Sequence, residues 1–229
     1  MPAYNAARTL KRTYDDLPHD IIDEVVLVDD ASRDETVTVA RTMPIHVFCH
    51  EKNTGYGGNQ KTCYREAMKL GADIMIMVHP DHQYDPKFIP EMLRVMEEKK
   101  AAAVFGSRMQ SRRSALSGGM PWWKFFFNIV LTKAANLMLG THLTEIHSGF
   151  RAYDRRVFEK IDISKNSDDF VFDTEIIIQM VEAHLPIVEI PISTRYFVEA
   201  SQISFRRSVV YGFSVLWRVV ANRLGFKHF

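Results

Sequence analysis

Cysteine is scarce in this chain: Cys49 and Cys63 are the two in 229 residues, and no CxxC spacing relates them. That removes a zinc ribbon or a disulfide framework and leaves a reducing compartment as the expectation. Long apolar runs are missing as well. No stretch of about 18 uninterrupted apolar residues occurs, so no transmembrane helix is expected. The first residues lack a basic segment followed by an apolar one, so no signal peptide is expected either. Nor does either sign of charge dominate. Lys and Arg total 29, Asp and Glu 28, for a net charge of +1. No global field draws the chain to nucleic acid, and anion recognition must come from local clusters. Internal repeats and low-complexity tracts are absent.

What is present is an ordinary globular composition, 46% hydrophobic and 25% charged. The length suits one large α/β domain with a proper core. Short apolar runs alternate with helical patterns. Residues 24–29, 45–49, 73–78 and 102–106 read as strands. Residues 6–17, 34–42, 58–70, 86–99 and 172–183 read as helices, and 187–195 as extended chain. Strands without polar alternation, separated by helices, predict a mostly parallel central sheet with helices on both faces. Ligands bind such sheets at the carboxyl ends of the strands. Residues 1–5 read as the loop after a first strand that is itself missing, which predicts further N-terminal residues in the native protein. Residues 111–119 read as a mobile loop, and 121–139 as an aromatic, apolar segment broken by Lys124 and Lys133. A domain of residues 1–204 is expected, followed by an amphipathic helix in 205–229. On that helix Phe205, Val209, Val210, Phe213, Leu216, Trp217, Val220 and Leu224 share a face opposite Arg207 and Arg218.

Six polar segments carry the candidate chemistry. Asp29 and Asp30 end a strand, where carboxylates can accept hydrogen bonds from a base or ribose. Helix capping accounts for Ser32 or Asp34 nearby, but not for two consecutive strand-end carboxylates. The segment Asn53-Thr54-Gly55-Tyr56-Gly57-Gly58-Asn59 permits a tight loop whose N–H groups suit an anion, though a plain turn reads equally well. Asp81 and Gln83 follow the third strand and can give oxygen to Mg²⁺ or Mn²⁺. His79 and His82 are further ligand candidates, and Asp85-Pro86 suits a helix start. Glu145 to Arg151, then Asp173-Thr174-Glu175, then Arg195, Ser204, Arg206 and Arg207 complete the set. Arginine forks pair naturally with phosphate oxygens.

Taken in order, these segments resemble the family 2 glycosyltransferases of GT-A fold, particularly the dolichyl-phosphate mannose synthase and polyprenyl-phosphate glycosyltransferase branch. The resemblance implies that Pro2, Ala3 and Tyr4 border the nucleotide base and that Asp29 and Asp30 hold base and ribose. It makes Asp81 the second Asp of a D-x-D metal motif, which also contacts the nucleotide, with Gln83 beside it. It places Arg108 of Gly106-Ser107-Arg108, and Arg195, near phosphates, and makes Ser148-Gly149-Phe150-Arg151 the acceptor-side motif. Arg206 adds to the phosphate partners. Asp81, Arg151, Glu175 and Arg195 form the catalytic set. Three departures stand out: His79 replaces the first D-x-D Asp, Ala6 replaces an acidic residue, and the first strand is missing. The implied reaction is metal-assisted, inverting transfer from a GDP- or UDP-sugar to polyprenyl or dolichyl phosphate. It would take place peripherally at the cytoplasmic face of a membrane, with a homodimer or an anchoring partner to be expected. A hydroxyl acceptor, or a non-catalytic nucleotide-sugar-binding subunit, are the alternatives.

Overall fold

The computed structural model describes residues 1–110, 120–194 and 205–226; the side chains of residues 205–207 are outside that description. The strands are β1 (Pro2–Ala3), β2 (Val26–Asp29), β3 (His46–Cys49), β4 (Ile74–Met77), β5 (Ala103–Ser107), β6 (Arg151–Asp154) and β7 (Ile187–Pro191). The helices are α1 (Leu10–Asp15), α2 (Thr36–Ala40), α3 (Tyr56–Lys69), α4 (Ile89–Lys99), α5 (Trp122–Leu139), α6 (Arg155–Lys160), α7 (Phe172–Glu182) and α8 (Phe205–Arg223).

Strands β1, β2 and β3 form a parallel sheet. Residues 1–5 are therefore not all loop: Pro2 and Ala3 pair with Val28 and Asp29. The second sheet runs β4-β6-β5-β7 and is mixed. Strand β6 lies antiparallel to both β4 and β5, while β5 and β7 are parallel. The apolar runs do not announce β6, because its sequence, Arg-Ala-Tyr-Asp, begins and ends on charged residues.

Neighbouring strand residues face opposite sides, and each side is covered. Leu27, Val104 and Ala152 join one buried cluster with Leu10, Ile89 and Met92. Val28, Ala103, Phe105 and Tyr153 join another with Phe172, Ile176, Val215 and Val219. Helices thus cover both faces, as the apolar strands require. Gly106 permits the close approach of β5 to the chain after β7: a Cβ there would lie 2.7 Å from Ile192 Cδ1. The Asp85-Pro86 pair starts a helical turn as expected, with the Asp85 carboxylate accepting from Lys87 N at 3.2 Å.

Helix α8 packs on α5 and α7. Its buried side is Val215, Val219 and Ala221. Five of the eight residues expected on its apolar face (Val209, Val210, Phe213, Trp217 and Leu224) point to solvent. Residues 111–119, read as a loop, and Arg195 and Ser204 lie outside the described residues.

Candidate active site

The carboxyl ends of β1, β2, β4 and β5 open into one cleft of about 1350 Å³. Three of the five non-glycine residues with left-handed backbone among those described sit in the turns after β1, β2 and β4: Asn5 (φ 52°), Ala31 (φ 59°) and His82 (φ 56°). Such backbone is costly and gathers where a site over-determines its loops. Cross-links fix these turns. Ser32 Oγ accepts from Asn5 N at 2.8 Å, Asn5 Oδ1 accepts from Arg33 N at 2.8 Å, and Asp34 Oδ2 accepts from Ala7 N at 3.1 Å.

The strand-end acid pair divides. Asp30 lines the cleft, and its carboxylate accepts from Thr54 N and Oγ1 at 2.8 Å, Gly55 N at 3.0 Å and meets His50 Nδ1 at 2.7 Å. Asp29 does not line it. One Asp29 oxygen accepts from Ser32 N at 2.9 Å, and the other is buried without a hydrogen bond. The glycine loop keeps its N–H groups for the protein: Thr54 and Gly55 serve Asp30, while Gly57 donates to Asp168 O at 2.8 Å. The loop is therefore a clamp on Asp30 rather than an anion cradle. Pro2, Ala3 and Tyr4 border the same end of the cleft.

After β4, His79, Asp81 and Gln83 all line the cleft. Asp81 Oδ1 accepts from Gln83 N at 3.0 Å, which braces the turn. His82 points away: it is fully buried, and its Nε2 lies 2.7 Å from Asp16 Oδ2. His79 stacks on Tyr56 at 5.6 Å between ring centroids, and burial above all lowers its pKa to about 4. Its Nε2 lies against Gly149, where a Cβ would come within 2.7 Å. Among the described residues, no three His, Cys, Asp or Glu side chains converge as a ready-made metal centre. One carboxylate and one amide oxygen, Asp81 and Gln83, nonetheless suit a hard divalent cation whose other ligands arrive with a diphosphate.

The cationic candidates also divide. Arg108 lines the cleft with Glu145 beneath it. Its Nε donates to Glu145 Oε1 at 2.8 Å, its backbone N donates to Oε2 at 2.7 Å, and Nη2 also pairs with Oε1. Burial opposes ionisation of Glu145, but the Arg108 charge and these bonds outweigh it and hold the carboxyl below its ordinary pKa. Arg151 is 1% exposed and lies outside the cleft lining. It donates to the carbonyls of Ser148 (2.7 Å), Asp173 (3.0 Å) and Ile146 (2.8 Å) and to Tyr153 Oη (3.2 Å). Its charge sits 3.6 Å from Asp173 Oδ1 and over the Phe105 ring. Ser148 is buried, its Oγ accepting from Phe150 N at 3.4 Å.

Glu175 is likewise fully buried away from the cleft. It accepts from Ser167 N at 2.6 Å and pairs with Arg218 Nε at 2.7 Å. Asp173 is the acid of that helix that reaches the cleft, where Tyr56 Oη donates to its Oδ2 at 2.8 Å. The opposite wall is aromatic: Trp123, Lys124 and Phe127 of α5, Phe170 and Tyr211. Tyr211 Oη lies 2.7 Å from His147 Nδ1. The signal for this wall was an aromatic run interrupted by Lys124. Arg195, and the side chain of Arg206, lie outside the described residues.

The family model described as "Glycosyl transferase family 2" matches residues 1–162. The chain belongs to that family. This family 2 glycosyltransferase is 25% identical to the UDP-N-acetylglucosamine–dolichyl-phosphate N-acetylglucosaminyltransferase of Methanococcus voltae, over 98% of this chain and 95% of that protein. It is 28% identical to the undecaprenyl-phosphate mannosyltransferase of Micrococcus luteus, over 87% and 82%. Among solved structures, glucosyl-3-phosphoglycerate synthase of Mycobacterium tuberculosis superposes with a TM-score of 0.72 at 16% identity, covering 99% of this chain and 79% of that one. That likeness shows the fold, which is the expected GT-A arrangement with a mixed second sheet.

Proposed function

We propose that this glycosyltransferase moves a sugar from a nucleotide-diphosphate donor to a polyprenyl or dolichyl phosphate, with inversion, at the cytoplasmic face of a membrane. The observation that carries this reading is the asymmetry of the cleft. One wall presents strand-end carboxylates, Asp30 and Asp81. The other is α5, which exposes Trp122 (77%) and Phe126 (58%), and it packs on α8, which exposes Phe213 (70%) and Trp217 (61%). Exposed aromatics in such a patch favour a lipid interface. No described helix is long and apolar enough to cross a membrane, and the reading takes the contact as peripheral. Two free cysteines fit a reducing compartment. The named acceptors of the two curated relatives are polyprenyl phosphates, which supports the same acceptor class here.

In this reading Tyr4 and Asp30 receive the base and ribose, and Asp81 with Gln83 holds a divalent cation. Such a cation supplies positive charge against the departing diphosphate. Asp173, fixed by Tyr56, faces the reaction space. Arg151 and Glu175 act from behind as positioning residues. Arg151 fixes Asp173 and the 146–148 backbone, and Glu175 fixes the Ser167 loop. A phosphate acceptor is already anionic at neutral pH and attacks the anomeric carbon without a strong base. Asp173 favours a second reading, transfer to a hydroxyl, because it is a carboxylate placed in the cleft where a base would be needed.

The test is a screen of UDP- and GDP-sugars with farnesyl phosphate in detergent, with Mg²⁺ or Mn²⁺, following nucleoside diphosphate release. Release that requires the lipid phosphate and survives Asp173→Asn supports the first reading. Release with a sugar-hydroxyl acceptor that vanishes in Asp173→Asn supports the second. No release with any pair returns the weight to a non-catalytic nucleotide-sugar-binding subunit.

A further inference from the structure

Lys124 is placed where three influences act against it. It sits in the first turn of α5, the positive end of a helix of 18 residues. It is partly buried, and Arg108 is its nearest cationic neighbour of consequence; burial first, then that like charge, lowers its pKa. Among the described residues no carboxylate pairs with it, and its ammonium lies 5.5 Å from the Trp123 ring. Among the described residues, the arginines in and behind the cleft are matched: Arg108 by Glu145, Arg151 by Asp173 and Arg218 by Glu175. Lys124 is therefore the cation of the described cleft lining that has an aromatic face but no carboxylate beside it. A charge placed against local rules with so little compensation marks a functional position. An anion seated there would relieve all three influences at once.

The position on α5 indicates which anion. The same helix lines the cleft with Phe127 and Leu131 and exposes Trp122 and Phe126 beyond it. A molecule that lays an apolar chain along α5 brings its head group to Lys124. The carboxylates that suit a nucleotide and its cation stand on the β1, β2 and β4 side instead. We propose that Lys124 is the residue that selects a phosphate-bearing acceptor, its ammonium receiving the phosphate monoester at the head of an apolar chain lying along α5. This deepens the function proposed above and rests on it for the acceptor's identity, but the binding preference is measurable without turnover.

The experiment compares farnesyl phosphate with farnesol, both titrated against the full chain in detergent and read by tryptophan emission. The steady-state KM for each substrate is measured alongside. The wild type is expected to prefer the phosphate by about tenfold or more, the scale of a charge-assisted hydrogen bond. Lys124→Gln is expected to erase that preference and raise the KM for the lipid phosphate, with the KM for the nucleotide sugar unchanged. Lys124→Arg is expected to keep most of it, which separates lost charge from lost folding. A Lys124→Gln protein that keeps the wild-type preference overturns the proposal. So does one whose KM rises for the nucleotide sugar alone, which would give the lysine to the donor diphosphate. A wild type that binds the phosphate selectively through Lys124 but transfers no sugar to it would sink the proposed function and leave the subsite standing.

Discussion

The two walls of the cleft are built by different means. The wall proposed to receive the donor is a lattice of hydrogen bonds: the Asp30 carboxylate alone meets four partners from the 50–55 segment. The wall proposed to receive the acceptor is two helices, α5 and α8, held by apolar packing and presenting aromatic side chains outward. A hydrogen-bonded wall fixes atoms to within tenths of an ångström and suits a ligand rich in directional groups. An apolar wall is tolerant of register and suits a long, featureless chain. The contrast teaches that one cleft can be selective at one end and permissive at the other. Beneath both lies a third layer, the buried Arg151 and Glu175 bonds, which belongs to neither wall and supports the loops between them.

That layer gives the largest expected effect. Arg151→Ala leaves the buried Asp173 charge without its partner, a loss of about 3–5 kcal/mol of stability, read as a fall in the urea midpoint. If the midpoint barely moves, the layer is not what joins the walls. Asp81→Ala should reduce turnover by about 10²–10³-fold, measured as nucleoside diphosphate release, with a small fall in melting temperature from the lost bond to Gln83 N. A full-activity Asp81→Ala would erase the distinction between the donor wall and any other polar surface. Tyr56→Phe removes one hydrogen bond to Asp173, and turnover should fall by about tenfold with a hydroxyl acceptor but little with a lipid phosphate, for which Asp173 is not needed as a base. Trp122→Ser with Phe126→Ser should lower sedimentation with phospholipid vesicles several-fold while soluble-substrate binding persists. Equal sedimentation would move the permissive surface elsewhere.

The smallest effect is a slope. His147 is held neutral, chiefly by burial, with its pKa lowered from 6.5 to about 4. The unfolded chain takes up that proton first. The stability contribution is therefore complete above about pH 6.5 and is lost progressively as the pH falls toward 4. His147→Asn should flatten the stability profile in that window by up to about 1 kcal/mol per pH unit, measured by urea midpoints. The wild-type midpoint should level off above pH 7.

The strands and helices of the first half were legible because their apolar runs and turn residues are local. Asp30, Asp81 and Gln83 were legible as cleft residues for the same reason, each lying in the turn after a strand. Strand β6 was not, since a short segment bounded by charges pairs only when β4 and β5 are already beside it. The division of labour inside pairs was also hidden. Nothing in Asp29-Asp30, or in Asp173-Thr174-Glu175, says which acid faces the cleft; the backbone direction at one residue decides that. Arg151 reads as a phosphate ligand in sequence, and only three-dimensional packing shows its donors directed to carbonyls 146, 148 and 173. The stripe on α8 was legible as a pattern, but not that Val209, Val210, Phe213, Trp217 and Leu224 would be left uncovered.

The inward side of α8 has a consequence for how the protein is made. Val215 and Val219 close a cluster that begins at Val28, and Arg218 completes the pairing of Glu175. During synthesis, therefore, the strands and most helices leave the ribosome well before their core can shut. A nascent chain stalled short of Val215 would hold an acid without its partner and an open apolar seam, the state that chaperones bind. Ribosome-bound intermediates of this protein should stay protease-sensitive until α8 has cleared the exit tunnel.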